Sequence, residues 1–382
     1  MMNSPHKSQG VALITALLIV ALATVAATSF ATQQQLDIRR TGNLIDGDQA
    51  WAYAEGGEAW AKLILQRDTK NDQQANSNPD DQQANSATDD LTEPWAQPLP
   101  PIKLIGGYMI GRITDAQARL NLNNLVIPDL NAGDDAQGEP NPSPPGTANV
   151  PPNPAGDVQG ETNTPPQDAA NVFPGMPGVP SGTQIDQVTL TQLKQLLAEL
   201  QLDPNLTDPI IDWMDQDINP RGSYGAEDDY YSRLKHPYRT ANQKMVSVSE
   251  LRLVKGFNEK AYQRVAPFLT ALPIYTPINV NTAPAEVLAT LPNMDAKAAM
   301  ALTKLRQENP FKGTKEFEDA LSTVGGVPQS QDTAGTGVDV TTQFFNVTVN
   351  TRIGYGRASL VSLLSREEQD DIKTVWRAQG VL

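Results

Sequence analysis

The chain has 382 residues, a net charge of −15, no cysteine and two histidines, His6 and His236. The lack of thiols excludes a disulfide framework, a cysteine-ligated metal and a thiol nucleophile, and two histidines leave little on which to build a zinc site or a catalytic triad. No short window is basic, so the clustered Lys and Arg that bind phosphate backbones are missing, and the length leaves room for two or three domains.

Residues 1–10 are polar and end in Lys7-Ser8-Gln9-Gly10; an apolar run starts at Val11. Val11 to Thr32 carries no charge. As a helix rising ~1.5 Å per residue it measures about 33 Å, enough to cross a ~30 Å hydrocarbon core. A secretory signal has a shorter apolar core and a small-residue cleavage site, for which Ser29-Phe30-Ala31 is a candidate. Against that reading, only His6 and Lys7 supply positive character ahead of the run, and the helical pattern continues beyond it. Ile45, Gln49, Ala52, Tyr53, Gly56, Trp60, Leu63 and Ile64 recur on one helical stripe. The pattern predicts one helix from Val11 to about Arg67, transmembrane over 11–32 and amphipathic afterwards.

This stretch resembles the type IV pilin-like proteins. The resemblance implies a leader, residues 1–10, cut by a prepilin peptidase between Gly10 and Val11, then methylation of the new N-terminus. It also implies a single-pass protein of the bacterial inner membrane with its bulk in the periplasm. Most of the family has a glutamate at the fifth mature position, thought to pair with the N-terminal amine of the subunit ahead. Here that position is Thr15. A neutral residue suits a subunit with no neighbour ahead, because an unpaired carboxylate in lipid costs several kcal/mol.

Residues 68–98 are rich in Asp, Asn and Gln, with "DQQANS" at 72–77 nearly repeated at 81–86, and predict a flexible loop. Lys103 to Ile113 predicts a strand or hairpin bent at its glycines, and "ARLNLNNL" (118–125) alternates like a further short strand. Residues 129–184 are rich in Pro, Gly and Asn and predict a disordered insertion. Helices follow from Thr189 and over Pro209–Trp213, then as pairs at 248–253 with 258–269 and 283–291 with 295–308, and at 315–321. Phe344–Ile353 and Gly356–Leu364 alternate and predict a hairpin across Gly354-Tyr355, with Ile372–Trp376 as a last strand.

Strands on both sides of a helical block predict one antiparallel sheet interrupted in sequence, an α+β fold. Residues 68–125 and 340–382 would form the α/β domain, and 126–339 an inserted all-α domain. This order resembles the K-type minor pseudopilins of type II secretion systems, most strongly in "IIDWMDQDINPRGSYGAEDDYY" (210–231) and "INVNTAPAEVL" (278–288). The resemblance implies a type IV pilin-like fold, a long N-terminal helix packed on an antiparallel sheet, with a large inserted helical domain. It implies a non-enzymatic subunit at the tip of the pseudopilus, active in protein export across the outer membrane. Its partners would be other minor pseudopilins, met through the N-terminal helix and the pilin domain.

Two motifs bear on chemistry. Asp215, Asp217 and Asn219 alternate like the start of a calcium loop, and Glu227 and Asp228 return after a Pro/Gly turn. An EF-hand has its glycine at position 6 and its bidentate Glu at 12, whereas here Gly222 and Glu227 fall later, so the loop is of another kind. Oxygen ligands suit a hard cation and not zinc or copper. The alternatives are a solvated acidic turn, and a catalytic carboxylate pair that no other active-site element accompanies. Crowded carboxylates repel unless a cation or an arginine, here Arg221 or Arg233, neutralises them. The family resemblance supports structural calcium on Asp215, Asp217, Asn219, Glu227 and Asp228, with carbonyls of the Arg221–Gly225 turn completing the shell.

The second motif, residues 278–311, resembles the helix-hairpin-helix module, whose two hairpin glycines expose N–H groups to a phosphate. Asn293 and Asp295 stand in those places, and in the earlier pair Gly256 is kept but Asn258 replaces the second glycine. An aspartate there repels phosphate. The module keeps packing residues (Ala283, Leu288, Leu291, Ala299) and loses its ligand chemistry, so no nucleic-acid partner is expected. The competing reading is a single-pass periplasmic DNA receptor or a type IV pilus minor pilin that uses this domain.

Overall fold

The structure, a computed structural model, describes residues 9–76, 88–128, 183–325, 337–367 and 371–380. The leader over 1–8, loop residues 77–87 and insertion residues 129–182 lie outside these. In chain order the elements are α1 (Gln9–Asn76), β1 (Ile102–Leu104), β2 (Gly107–Asp115), β3 (Leu120–Asn121), β4 (Val126–Pro128), β5 (Thr183–Ile185), α2 (Gln187–Glu199), α3 (Thr207–Met214), α4 (Asp228–Tyr231) and α5 (Glu259–Val265). They continue with β6 (Leu269–Thr270), β7 (Ile278–Asn279), α6 (Ala285–Leu288), α7 (Ala296–Glu308), α8 (Thr314–Thr323), β8 (Val338–Asp339), β9 (Phe344–Ile353), β10 (Gly356–Arg366) and β11 (Ile372–Gln379). The chain forms two compact units. The first takes residues 1–116, 305–317 and 339–382, and the second takes 117–304 and 318–338.

In the first unit α1 is a single helix of 68 residues. Its uncharged start is long and apolar enough to cross a membrane, and every side chain from Val11 to Leu44 is exposed. The hydroxyls of Thr15, Thr24, Thr28 and Thr32 each donate to a carbonyl three or four residues back, so their polar atoms are satisfied within the helix. From Ala50 onward α1 lies on a five-stranded antiparallel sheet of order β1-β2-β9-β10-β11. Ala54, Ala61 and Leu65 pack against Ile113, Phe345, Val347, Val349, Leu360 and Leu364. Small residues permit the close approach. A Cβ at Gly57 would stand 2.8 Å from Met109 Sδ and from Val349 Cγ1.

The β9–β10 hairpin forms as expected from its period-2 alternation. Gly354 supplies the left-handed turn residue (φ +50°), and Asp46 of α1 accepts the Tyr355 N–H at 3.0 Å. β2 pairs with β9 in register Met109↔Thr351, so the strand on the amino side of the helical block lies beside one on its carboxyl side.

Three expectations need correction. Residues 68–76 continue α1 instead of forming loop, because Asp68 is buried and its carboxylate meets Arg366 at 2.9 Å. Residues 88–98 are ordered by burial of Asp89 and Trp95. "ARLNLNNL" is a two-residue strand followed by a 3-10 turn in which Leu122 to Leu125 are all buried. Its asparagines face inward as its leucines do. Asn123 donates to the Met245 carbonyl at 2.8 Å and the Leu272 carbonyl at 2.9 Å, and Asn124 donates to the Thr276 carbonyl at 2.8 Å. These side-chain amides replace ladder partners for the second unit's backbone.

Glu58 is the charge on which the docking of α1 turns. It is 1% exposed. It accepts from Ser362 Oγ (2.7 Å), Thr374 Oγ1 (2.8 Å), Arg377 Nε (2.7 Å) and Arg377 Nη2 (2.9 Å). Burial alone would raise its pKa, but Arg377 and the two hydroxyls overcome that and hold the carboxyl down at about 2. A depressed carboxylate adds stability above its ordinary pKa of 4.5 that is lost as pH falls toward about 2. We therefore expect Glu58→Gln to lower the melting temperature of detergent-solubilised full-length protein at neutral pH, at a cost of about 3 kcal/mol. The same variant should show a shallower loss of stability between pH 4.5 and 2, measured by thermal melts across that range.

Candidate metal centre

α3 buries Ile210, Ile211, Trp213 and Met214, and it stops at Asp215, whose backbone turns extended (φ −75°, ψ 167°). The next nine residues are exposed, and the chain re-enters the interior at Ala226 and Glu227. Asp212, fully buried on α3, ties this loop shut. Its carboxylate accepts the Arg221 N–H at 3.2 Å and the Ala226 N–H at 2.7 Å. Gly225 makes the closure possible, since a Cβ there would lie 2.3 Å from Asp212 Oδ2 and 2.4 Å from Arg221 N.

The closure returns Glu227, at the amino end of α4, to Asp215. Carboxylate oxygens of Asp215, Asp217 and Glu227 lie within 4.8 Å of one another. Asp215 is 2% and Glu227 5% exposed, while Asp217 is open to solvent. Asp215 Oδ1 and Glu227 Oε1 are buried without a hydrogen-bond partner. Burial, then the neighbouring carboxylates, push Asp215 up to about 7 and Glu227 up to about 8. Two orphaned buried oxygens and a third, solvent-facing carboxylate form an arrangement that a hard cation relieves. The ammonium of Lys255 is committed elsewhere. It donates to the Gly225 carbonyl at 3.0 Å and lies 4.9 Å from the centre of the Tyr230 ring.

Of the residues singled out from sequence, the structure brings Asp215, Asp217 and Glu227 together. Asn219 is exposed and contributes its backbone N–H to Asp217 Oδ1 at 2.7 Å. Asp228 is engaged elsewhere. Its Oδ1 accepts from the N–H and hydroxyl of Thr240, both at 2.9 Å, and Arg239 lies 3.8 Å from its Oδ2. Asp212 escaped the sequence reading. Its position three residues before Asp215, on the last turn of a helix that precedes a glycine-rich turn, was the available signal. Gly10 and Val11 fall in the first turn of α1, and Thr15 donates to the carbonyls of Val11 and Ala12 at 3.1 and 3.0 Å.

In the two hairpins of the helix-hairpin-helix-like segment, side chains cap the helix that follows. Asn293 adopts the left-handed conformation (φ +61°) that glycine provides elsewhere, and Asp295 accepts the Ala298 N–H at 2.7 Å. In the earlier hairpin Gly256 is left-handed (φ +87°) and Asn258 accepts the Ala261 N–H at 2.9 Å.

A family model described as type II secretion system protein K matches residues 118–274, and a second model of the same description matches 278–341. The type II secretion system protein K of Pseudomonas aeruginosa is 32% identical over 376 residues, covering 97% of this chain and 92% of the relative. That of Aeromonas hydrophila is 31% identical over 391 residues, 99% of each chain, and that of Dickeya chrysanthemi 35% identical over 335 residues, 85% and 84%. Among solved structures, the crystal structure of the GspK-GspI-GspJ complex from the enterotoxigenic Escherichia coli type 2 secretion system contains a similar chain. The TM-score is 0.62 at 19% identity, covering 90% of this chain and 100% of that one, which bears on the fold alone. Matched along nearly its whole length by relatives of one description, the chain belongs to the type II secretion system protein K family.

Proposed function

We propose that this chain is a minor pseudopilin of the inner membrane that caps the tip of a type II secretion pseudopilus and takes part in protein export across the outer membrane. The observation that carries the reading is α1, a continuous helix whose first part is apolar and exposed all round and whose later part holds an antiparallel sheet. Such a helix has two environments, lipid or neighbouring helices at its start and its own sheet beyond. The bulk of the chain lies in the periplasm. The partners are other minor pseudopilins, reached through α1 and the first unit. A solved complex whose title names GspK, GspI and GspJ contains a chain of similar fold, which supports that choice. The tip position rests on Thr15, whose hydroxyl is satisfied within its own helix and needs no subunit ahead. The role is structural, and the relatives' shared description names a secretion component.

The reading includes one structural calcium ion. Asp215, Asp217 and Glu227 are its side-chain ligands, with carbonyls of the Arg221–Gly225 turn completing the shell. The buried oxygens of Asp215 and Glu227 that lack hydrogen-bond partners support it. Calcium accepts an irregular set of six to eight oxygens, whereas magnesium holds its waters and demands stricter octahedral geometry. Outside the cytoplasm even a weak site fills.

Processing is tested by N-terminal sequencing of protein extracted from membranes. The mature chain is expected to begin at Val11, methylated on its amine, and Gly10→Phe to remain uncut; a chain that starts at Thr32 would instead mark an ordinary signal peptide. Thr15→Glu should reduce secretion of the system's substrates, and wild-type secretion by this variant would remove the tip argument while leaving the family unchanged. A chelator should lower the melting temperature of the full-length protein in detergent. Added calcium should restore it and magnesium should do so poorly, with a gain of about 2.7 kcal/mol at a hundredfold excess over Kd. Asp217→Ala should fold and lose that response, and a melting curve indifferent to chelation would leave the carboxylates as a solvated turn.

A further inference from the structure

The first unit holds a second group of carboxylates, built from segments far apart in sequence. Asp68 comes from α1, and Asp89 and Glu93 come from the strap of residues 88–97 that precedes β1. Their oxygens lie within 4.8 Å of one another. Unlike the calcium loop, this group already contains a cation. Arg366 of β10 places Nη2 2.9 Å from Asp68 Oδ2 and Nη1 3.0 Å from Asp89 Oδ1. The same guanidinium lies 4.7 Å from the centre of the Phe345 ring. Asp89 also accepts the Thr342 N–H at 2.7 Å, and its own N–H donates to the Val340 carbonyl at 2.9 Å.

One guanidinium carries one positive charge, so three ionised carboxylates around it leave two negative charges in a largely buried place. Further charge of the same sign is close by. Asp90 is the neighbour of Asp89, and Asp115 of β2 accepts the Thr342 hydroxyl at 2.5 Å. Arg366 pairs with Asp68 and Asp89. Glu93 takes its hydrogen bonds from neutral donors, the Asp90 N–H at 3.3 Å and the Trp95 indole N–H. Trp95 is 2% exposed and meets the Phe345 ring edge-on, with centroids 5.2 Å apart. The carboxyl of Glu93 therefore sits between the charge cluster and the aromatic anchor of the strap.

We propose that Glu93 holds a proton in the folded chain and that this proton latches residues 88–97 onto the sheet, making the strap a pH-dependent clasp. With the proton in place the group faces Asp68, Asp89 and Asp90 as a neutral acid and keeps the Trp95 indole. Without it, a charged carboxylate faces that cluster, and lifting the strap into water relieves the repulsion.

The direction of the pH effect follows. Burial, then the facing Asp68 and Asp89, push Glu93 up to about 9 from its ordinary 4.5. Burial pushes Asp89 up as well, against the pull of Arg366. The closed strap binds one more proton than the open one, so it is held most firmly below pH 4.5 and loosens as pH rises toward about 9. Each pH unit inside that window multiplies the opening constant by about ten.

The native chain has no cysteine, so one introduced thiol reports alone. Ala96, on the strap and partly buried against the core, is the probe site, and Tyr355, 87% exposed at the β9–β10 turn, is the reference. Labelling of Ala96→Cys, divided by that of Tyr355→Cys in full-length protein in detergent, should rise about tenfold per pH unit between pH 6 and 9. Adding Glu93→Gln to both should abolish that slope, and whether the strap then labels slowly or quickly, loss of the slope supports the proposal. A flat ratio in the parent, or an unchanged slope with Glu93→Gln, would overturn it. Asp89→Asn controls for the competing acid: a slope lost there but kept in Glu93→Gln assigns the proton to Asp89 and overturns the proposal in the same way.

Discussion

α1 meets two demands: its start is long and apolar enough to cross a membrane, and its later part settles closely on a sheet. The second demand is met by leaving out bulk, with Ala54, Gly57 and Ala61 turned to the sheet, and by burying a single glutamate where strand donors converge. The remaining strands take their positions from that contact. β10 supplies Ser362 and β11 supplies Thr374 and Arg377 to Glu58, and β9 supplies the apolar wall. A buried carboxylate without those donors costs several kcal/mol, so the interaction selects one register for the helix on the sheet. The hairpin turn at Gly354-Tyr355 adds a second fixed point, because Asp46 accepts its N–H one helical segment earlier.

Two trios of carboxylates illustrate how the same side chains reach different ends. Around Asp68, Asp89 and Glu93 the fold supplies a guanidinium, two backbone partners for Asp89 and an indole. Around Asp215, Asp217 and Glu227 it supplies burial and geometry but leaves two oxygens without donors. The first arrangement is relieved in part from within, by an arginine and by the proposed proton. The second leaves its buried oxygens open to the cation proposed above, and Asp212 and Gly225 hold its loop shut. Residues behind a site that hold its loop in shape matter as much as those that face the ion.

The helix-hairpin-helix-like segments cap their own helix starts with side chains. Asn293 retains the backbone conformation of a glycine, yet Asp295 and Asn258 turn their side chains onto helix N–H groups. An internal cap of this kind stabilises a helix start by about 1 kcal/mol.

Much of this protein is written locally in its sequence. The uncharged run after Gly10 is long enough to cross a membrane, the alternation on either side of Gly354 pairs neighbouring segments, and the acidic loop gathers three carboxylates within a short stretch. Each of these depends on residues close together in the chain, where period and spacing are sufficient information. Tertiary structure decided the rest. The asparagines of 121–124 look like the polar face of a strand until the backbone of residues 245–276 is brought to them. Asp228 gains Thr240 as a partner only when the segment twelve residues on folds back to it. Glu58 meets Ser362 across 304 residues, and Asp68 meets Arg366 across 298. A charge acquires its partner and its pKa only when distant segments bury it together, so local pattern shows which residues can carry function while long-range packing decides which of them do.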